Sequence, residues 1–187
     1  MKVTEAQHGR YRLRAAKLGD TFVARAFHGS DRGIVGEATG VDAEAALTAL
    51  RHRLSADDAR RAEGRRMTAQ GWAVPTEAEF TEAWLRARAR LSKAQLDMVD
   101  AHAKSGDHGM TAGQIAAAGG YSNYETANAI YGRVGKIFAE ELEVPAPASS
   151  VADREVQTGV IADAGTERDG QFVWVMHPEL RAALGLL

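Results

Sequence analysis

The chain has 187 residues, a formal net charge of −2 and 45% apolar residues, enough for one compact domain or two small ones with a real core. The absence of cysteine excludes disulfides and thiolate metal or redox chemistry and fits a reducing, cytoplasmic setting. No apolar run reaches membrane-spanning length, and the opening MKVTEAQHGRYRLR lacks the apolar stretch of a secretory signal.

From 10-RYRLRAA-16 to 21-TFVARAF-27 apolar and polar residues alternate on either side of Leu18-Gly19-Asp20, which predicts a hairpin. A third strand, 34-IVGEAT-39, follows a Gly-Ser-Asp-Arg-Gly loop. Asp42 then caps a helix over 43–54 whose Ala46, Leu47, Leu50 and Leu54 form one apolar stripe. Residues 1–60 therefore read as a β-β-β-α domain, near the lower size limit for a self-sufficient core. An Arg-rich linker over 61–75 contains Gly64, Gly71 and Pro75.

Residues 76–187 read as a second domain. Capping boxes recur at Thr76 with Glu79, Ser92 with Gln95, Thr111 with Gln114 and Ser122 with Glu125, so helices begin near 77, 93, 112 and 123. Gly119-Gly120 ends the third, making it short. Beyond the loop 145-PAPASS-150, the runs 155-EVQTGVIA-162 and 171-QFVWVM-176 predict a β-hairpin, and Pro178 starts a last helix over 179–187. The fold class is α+β: a β-β-β-α domain and a mainly helical domain resembling a winged helix-turn-helix with its β-hairpin.

Charge is unevenly placed. Residues 1 to 93 carry 17 Lys/Arg against 12 Asp/Glu, and residues 94 to 187 carry 6 against 13. A polyanion is drawn to the first half and repelled on average by the second. On charge alone, the clustered arginines read best as solvated helix faces paired with Glu and Asp.

The helix over 122–142 carries two glycines, Gly132 and Gly135, each costing about 1 kcal/mol relative to alanine in a helix interior. On a helical wheel Ala127, Ile130, Val134, Ile137 and Phe138 share one side, with Tyr131 and Leu142 at its edge. Glu125, Asn128, Gly132, Gly135 and Lys136 lie opposite, which places both glycines on the polar face. A glycine there admits another backbone, that of a phosphodiester or of a second helix. Ser122, Asn123 and Tyr124 begin the helix with amides of the kind that hold phosphate, Arg133 and Lys136 flank the same face, and Asn128 suits an adenine edge. The alternative is a helical hairpin whose small face packs on a neighbouring helix or a second subunit. Glu141 falls inside the apolar arc, where a carboxylate is out of place.

The pattern T-A-x-Q-[IL]-A, G-Y-x-x-Y-x-x-A-N, Y-G-x-[LV]-G, followed by an aromatic strand and H-P-E-L, resembles the module that accompanies HNH domains in bacterial modification-dependent restriction endonucleases. Here it spans Thr111–Ala116, Gly120–Asn128, Tyr131–Gly135 and Trp174–Leu180, and the likeness covers about residues 80–187. The resemblance implies target DNA recognition and selects Tyr121, Tyr124, Asn128, Tyr131, Gly132 and Lys136 for testing. No HNH half accompanies it, so recognition is implied and cleavage is not. Residues 1–60 are more weakly similar in architecture to HicB-type antitoxins and double-stranded-RNA-binding domains.

Other chemistry is sparse. His102 and His108, with Asp107 between them, lack a third metal ligand in sequence, and no cofactor is expected. His177 before Pro178 reads as a cap for the final helix. Glu140, Glu141 and Glu143 read as a solvated helix terminus, and no phosphate loop or nucleophile elbow occurs. Trp72, Trp84 and Trp174 read as core, whereas Tyr121 and Tyr124 stay open to stacking on an extruded base. The expectation is a non-enzymatic reader of double-stranded DNA, unmodified or modified, in gene regulation or phage-host defence. Its rival is a protein-interaction or inhibitor module, or a homodimer, using the same helix as an interface.

Overall fold

The computed structural model describes residues 2–28, 33–148, 155–168 and 170–185, and of Tyr124 and Ala127 the backbone alone. The expected loop at 29–32 and the ends of the 145–150 and 179–187 segments lie outside the described residues. The fold is α+β, and the chain divides into two compact units, Met1–Glu63 and Gly64–Leu187. Among the described residues no helix is long and apolar enough to cross a membrane.

The first unit is a four-stranded antiparallel meander, β1 (Val3–His8), β2 (Tyr11–Leu18), β3 (Thr21–His28) and β4 (Ile34–Gly40), followed by α1 (Ala43–Glu63). One strand more is present than expected. VTEAQH carries a single small core residue, Ala6, too faint an alternation to stand out, yet all six of its residues pair in register with β2. The helix packs Ala46, Leu47, Leu50 and Leu54 on the face bearing Tyr11, Leu13, Ala15, Ala24 and Ala26. It also continues nine residues past the last of its apolar stripe. The alanines, arginines and Glu63 of that extension are good helix formers, and the segment is tied down by an Asp57–Arg60 pair and by Asp58, which accepts from Arg10 (2.9 Å) and Tyr11 (3.0 Å).

In the second unit a hairpin of two-residue strands, β5 (Arg66–Met67) and β6 (Ala73–Val74), precedes α2 (Glu77–Ala87) and α3 (Lys93–Lys104). Then come β7 (Met110–Thr111), α4 (Ala112–Ala118), α5 (Tyr124–Leu142), β8 (Ala162–Arg168), β9 (Gln171–Met176) and α6 (Pro178–Ala183). The three strands pair in the order β7-β9-β8. From α3 onward, helix, short strand, helix, helix and hairpin follow one another in the order of a winged helix-turn-helix.

Three of the four expected capping boxes form, at Thr76, Ser92 and Thr111. The fourth does not: Asn123, not Ser122, caps α5, its Oδ1 accepting from the amides of Glu125 (2.8 Å) and Thr126 (3.4 Å). A Schellman turn ends α4, with Tyr121 N–H bonded to Ala116 O, Gly120 N–H to Ala117 O and Gly120 at φ 77°. The core gathers Phe80, Met98, Ile115, Val134, Phe138, Ile161, Met176 and Leu180, all at most 2% exposed. Fully burying such a side chain contributes about 1.5–3 kcal/mol. Trp84 stacks on Phe138 at 6.2 Å.

The run expected to be an Arg-rich linker is divided between the two units. Arg61 and Glu63 finish α1, whereas Arg65 grips the nearly buried Glu79 through two bonds (3.0 and 2.6 Å). Arg66 bonds Glu179 at 2.9 Å. The first wing strand is also displaced, to 162–168 instead of 155–162, because Gln157–Val160 form a 3-10 turn. Val160 and Ile161 are fully buried, so their apolarity is genuine; it signals burial in a turn and not a strand.

Candidate nucleic-acid interface

The two glycines of α5 have opposite surroundings. An alanine Cβ at Gly135 would lie 1.9 Å from Gln157 O and 2.5 Å from Gln157 C, so the 157–160 turn packs backbone to backbone on the helix there. Gly135 is buried and unavailable to DNA, correcting its placement on the open face. The wheel failed because the covering segment presents carbonyls, which leave no hydrophobic signal. A Cβ at Gly132 meets nothing within 4 Å. The packing of the described residues gives no reason for glycine at that position.

Tyr131 is likewise removed from the interface. It is 2% exposed, and its hydroxyl lies 2.6 Å from His102 Nδ1. His102 Nε2 is 2.9 Å from Trp174 O. A carbonyl can only accept, so Nε2 carries the proton and Nδ1 accepts from the tyrosine. Both ring nitrogens are thereby committed, and among the described residues no group of acidic and histidine side chains could hold a metal ion.

Of the residues expected to meet DNA, Ser122, Asn123, Asn128, Arg133 and Lys136 are exposed and Gly132 is half-buried. Asn123 has spent its carbonyl oxygen on the cap, and the Glu125 and Thr126 amides are thereby occupied, which removes two of the amides expected to hold phosphate. Asn128 lies two turns before Gly135 on the same side of the helix, at the margin of the open face. Tyr121 is partly buried and packs on the core, while the Tyr124 side chain lies outside the described residues. The open face consists of Glu125, Ala129, Gly132, Arg133 and Lys136. Glu125 was expected there and Ala129 was not, though Ala129 lies two turns before Lys136 on the same side of the helix.

Ion pairing separates these cations from the others. Burial would raise the Glu141 carboxyl, but Arg90 and Arg86 outweigh it and hold the group below its ordinary value. Arg86 lies 2.9 Å and Arg90 2.6 Å from Glu141, which explains a carboxylate inside the apolar arc: α2 and the turn after it supply its counterions. Glu141 is thus a half-buried tie and not part of a solvated terminus. Arg66 joins Glu179, Asp163 and the buried His177. His177 occupies the cap position of α6, but its ring caps nothing: it stacks on Trp72 (5.7 Å) and its Nε2 lies 3.1 Å from Gly159 O. Arg133 and Lys136 make no ion pair among the described residues.

The wing brings Arg168 beside α4, its guanidinium donating to His108 O at 2.7 Å. Phe172 is 59% exposed next to Trp174. No family model, curated protein or solved structure matches this chain.

Proposed function

We propose that the protein is a cytoplasmic, non-enzymatic reader of double-stranded DNA that lays the open face of α5 in the major groove, with Arg133 and Lys136 on phosphates. One observation carries this reading. On a unit whose arginines are otherwise largely matched to carboxylates, the exposed face of α5 keeps two cations that are unpaired among the described residues, beside a glycine that no contact of those residues requires. A phosphodiester supplies what both features lack, a counter-charge and a close backbone. The winged order of elements and the resemblance of 111–142 to a DNA-recognition module support the same reading. With Arg65, Arg66, Arg86 and Arg90 engaged, phosphate contact rests on α5 and not on the Arg-rich run.

The test is fluorescence anisotropy of labelled duplexes, unmodified and cytosine-modified, at two salt concentrations. Arg133→Ala/Lys136→Ala is expected to weaken binding to every duplex by about tenfold or more and to lower the salt slope by about 2. Preference for a modified duplex would mark the protein as a modification sensor. An absence of binding at low salt, or a double variant indistinguishable from wild type, rejects the reading. Glu125 on the same face would then favour the rival, a protein interface built on α5.

A further inference from the structure

Among the described residues, α1 covers the sheet of the first unit on one face only. An antiparallel sheet with a solvated face is expected to be polar there, but this one carries an apolar rung among its charges. By register Val3, Ala16 and Val23 form one rung across β1, β2 and β3. Leu18 and Phe27 extend the same apolar groove, and Arg14 and Arg25 border it.

The next rung holds Glu5, Arg14, Arg25 and Glu37. Two arginines thus stand directly opposite each other on the central strands, an arrangement that destabilises a sheet unless anions neutralise it. Each leans outward to an edge carboxylate, Arg14 to Glu5 at 2.9 Å and Arg25 to Glu37 at 2.7 Å, yet they remain 47% and 44% exposed. Arg12, two residues from Arg14 on the same strand face, has a buried Nε with no hydrogen-bond partner. Three guanidiniums offer far more N–H donors than two carboxylates can accept.

We propose that this open face docks an acidic, amphipathic segment of a partner protein, its apolar side chains on the Val3–Ala16–Val23 rung and its carboxylates over Arg14, Arg25 and Arg12. The apolar rung favours a peptide over a nucleic acid, since a sugar-phosphate strand gains little from valines. The charge order argues against a second copy: stacking two such faces in register about a two-fold axis sets arginine on arginine and glutamate on glutamate. This inference is independent of DNA reading by α5.

The probe is a random peptide library displayed on phage, selected on the full chain and counter-selected on its Arg14→Glu/Arg25→Glu variant. Survivors are expected to combine Asp or Glu with apolar residues. As synthetic peptides they should lose about tenfold or more in affinity against that variant, against Arg14→Gln/Arg25→Gln and against Val23→Ser. Urea midpoints of each variant show that it remains folded. Discriminating peptides that lack carboxylates, or no discriminating peptide at all, overturn the proposal. So does an RNA or DNA oligonucleotide, or a concentration-dependent dimer in sedimentation, that is lost in the arginine variants while they stay folded.

Discussion

Gly135→Ala is expected to destabilise the second unit by about 2 kcal/mol or more, read as a lowered urea midpoint in tryptophan fluorescence. The added methyl would lie 1.9 Å from Gln157 O, and the atom in its way is backbone, which cannot rotate aside. Forcing a methyl group into a packed site typically costs 1–3 kcal/mol, and here the 157–160 turn must leave the helix, drawing Val160 and Ile161 from the core. Against this, alanine is the better helix former by about 1 kcal/mol. Gly132→Ala separates the two terms. Its methyl meets nothing within 4 Å, so the helix-forming gain of about 0.5–1 kcal/mol should appear undiminished. If Gly132→Ala raises the urea midpoint while weakening duplex binding, the glycine serves close approach of DNA at the expense of stability. Unchanged binding would leave Arg133 and Lys136 as the helix's contribution.

The same pair of residues shows how far the sequence could be read. Capping boxes at Thr76, Ser92 and Thr111 were legible because donor and acceptor lie three residues apart. The apolar arc of α5 was legible because burial against other helices repeats with the helical period. Where long-range partners are polar, the pattern is silent. Nothing near Glu141 announces Arg86 and Arg90, some fifty residues earlier, and nothing near Gly135 announces the carbonyl of Gln157. The first unit repeats the lesson: β1 is recruited by backbone pairing to β2, and the last two turns of α1 by Asp58, neither of which needs an apolar side chain. The exposure of Arg133 and Lys136 has a related reason. Exposed cations without partners among the described residues are what remains once the structure has assigned Arg65, Arg66, Arg86 and Arg90 to carboxylates, and no single sequence could make those assignments.

Mild acid is expected to loosen this unit well above the range in which carboxylates titrate. His102 on α3 is fully buried, holds Tyr131 of α5 through Nδ1 and the Trp174 carbonyl of β9 through Nε2, and so joins three elements with one ring. Burial lowers its pKa from 6.5 to about 4 and pushes the Tyr131 hydroxyl above its ordinary value. Because the folded-state value lies below the unfolded one, the unfolded chain takes up the proton first as pH falls. Stability is therefore retained above about pH 6.5 and declines between there and pH 4, by about 2 kcal/mol at pH 5. Glu79, Glu141 and Asp163, each held below its ordinary value, add their own losses only at lower pH, as their unfolded forms protonate near 4.5, 4.5 and 3.8. The check is the urea midpoint of wild type and His102→Gln at pH 7 and pH 5, the glutamine being unable to titrate. Wild type should lose about 2 kcal/mol more than the variant across that interval. Parallel losses would mean that the ring is not held neutral in the core, and that the tie from α3 to the inner side of α5, behind Arg133 and Lys136, has a different basis.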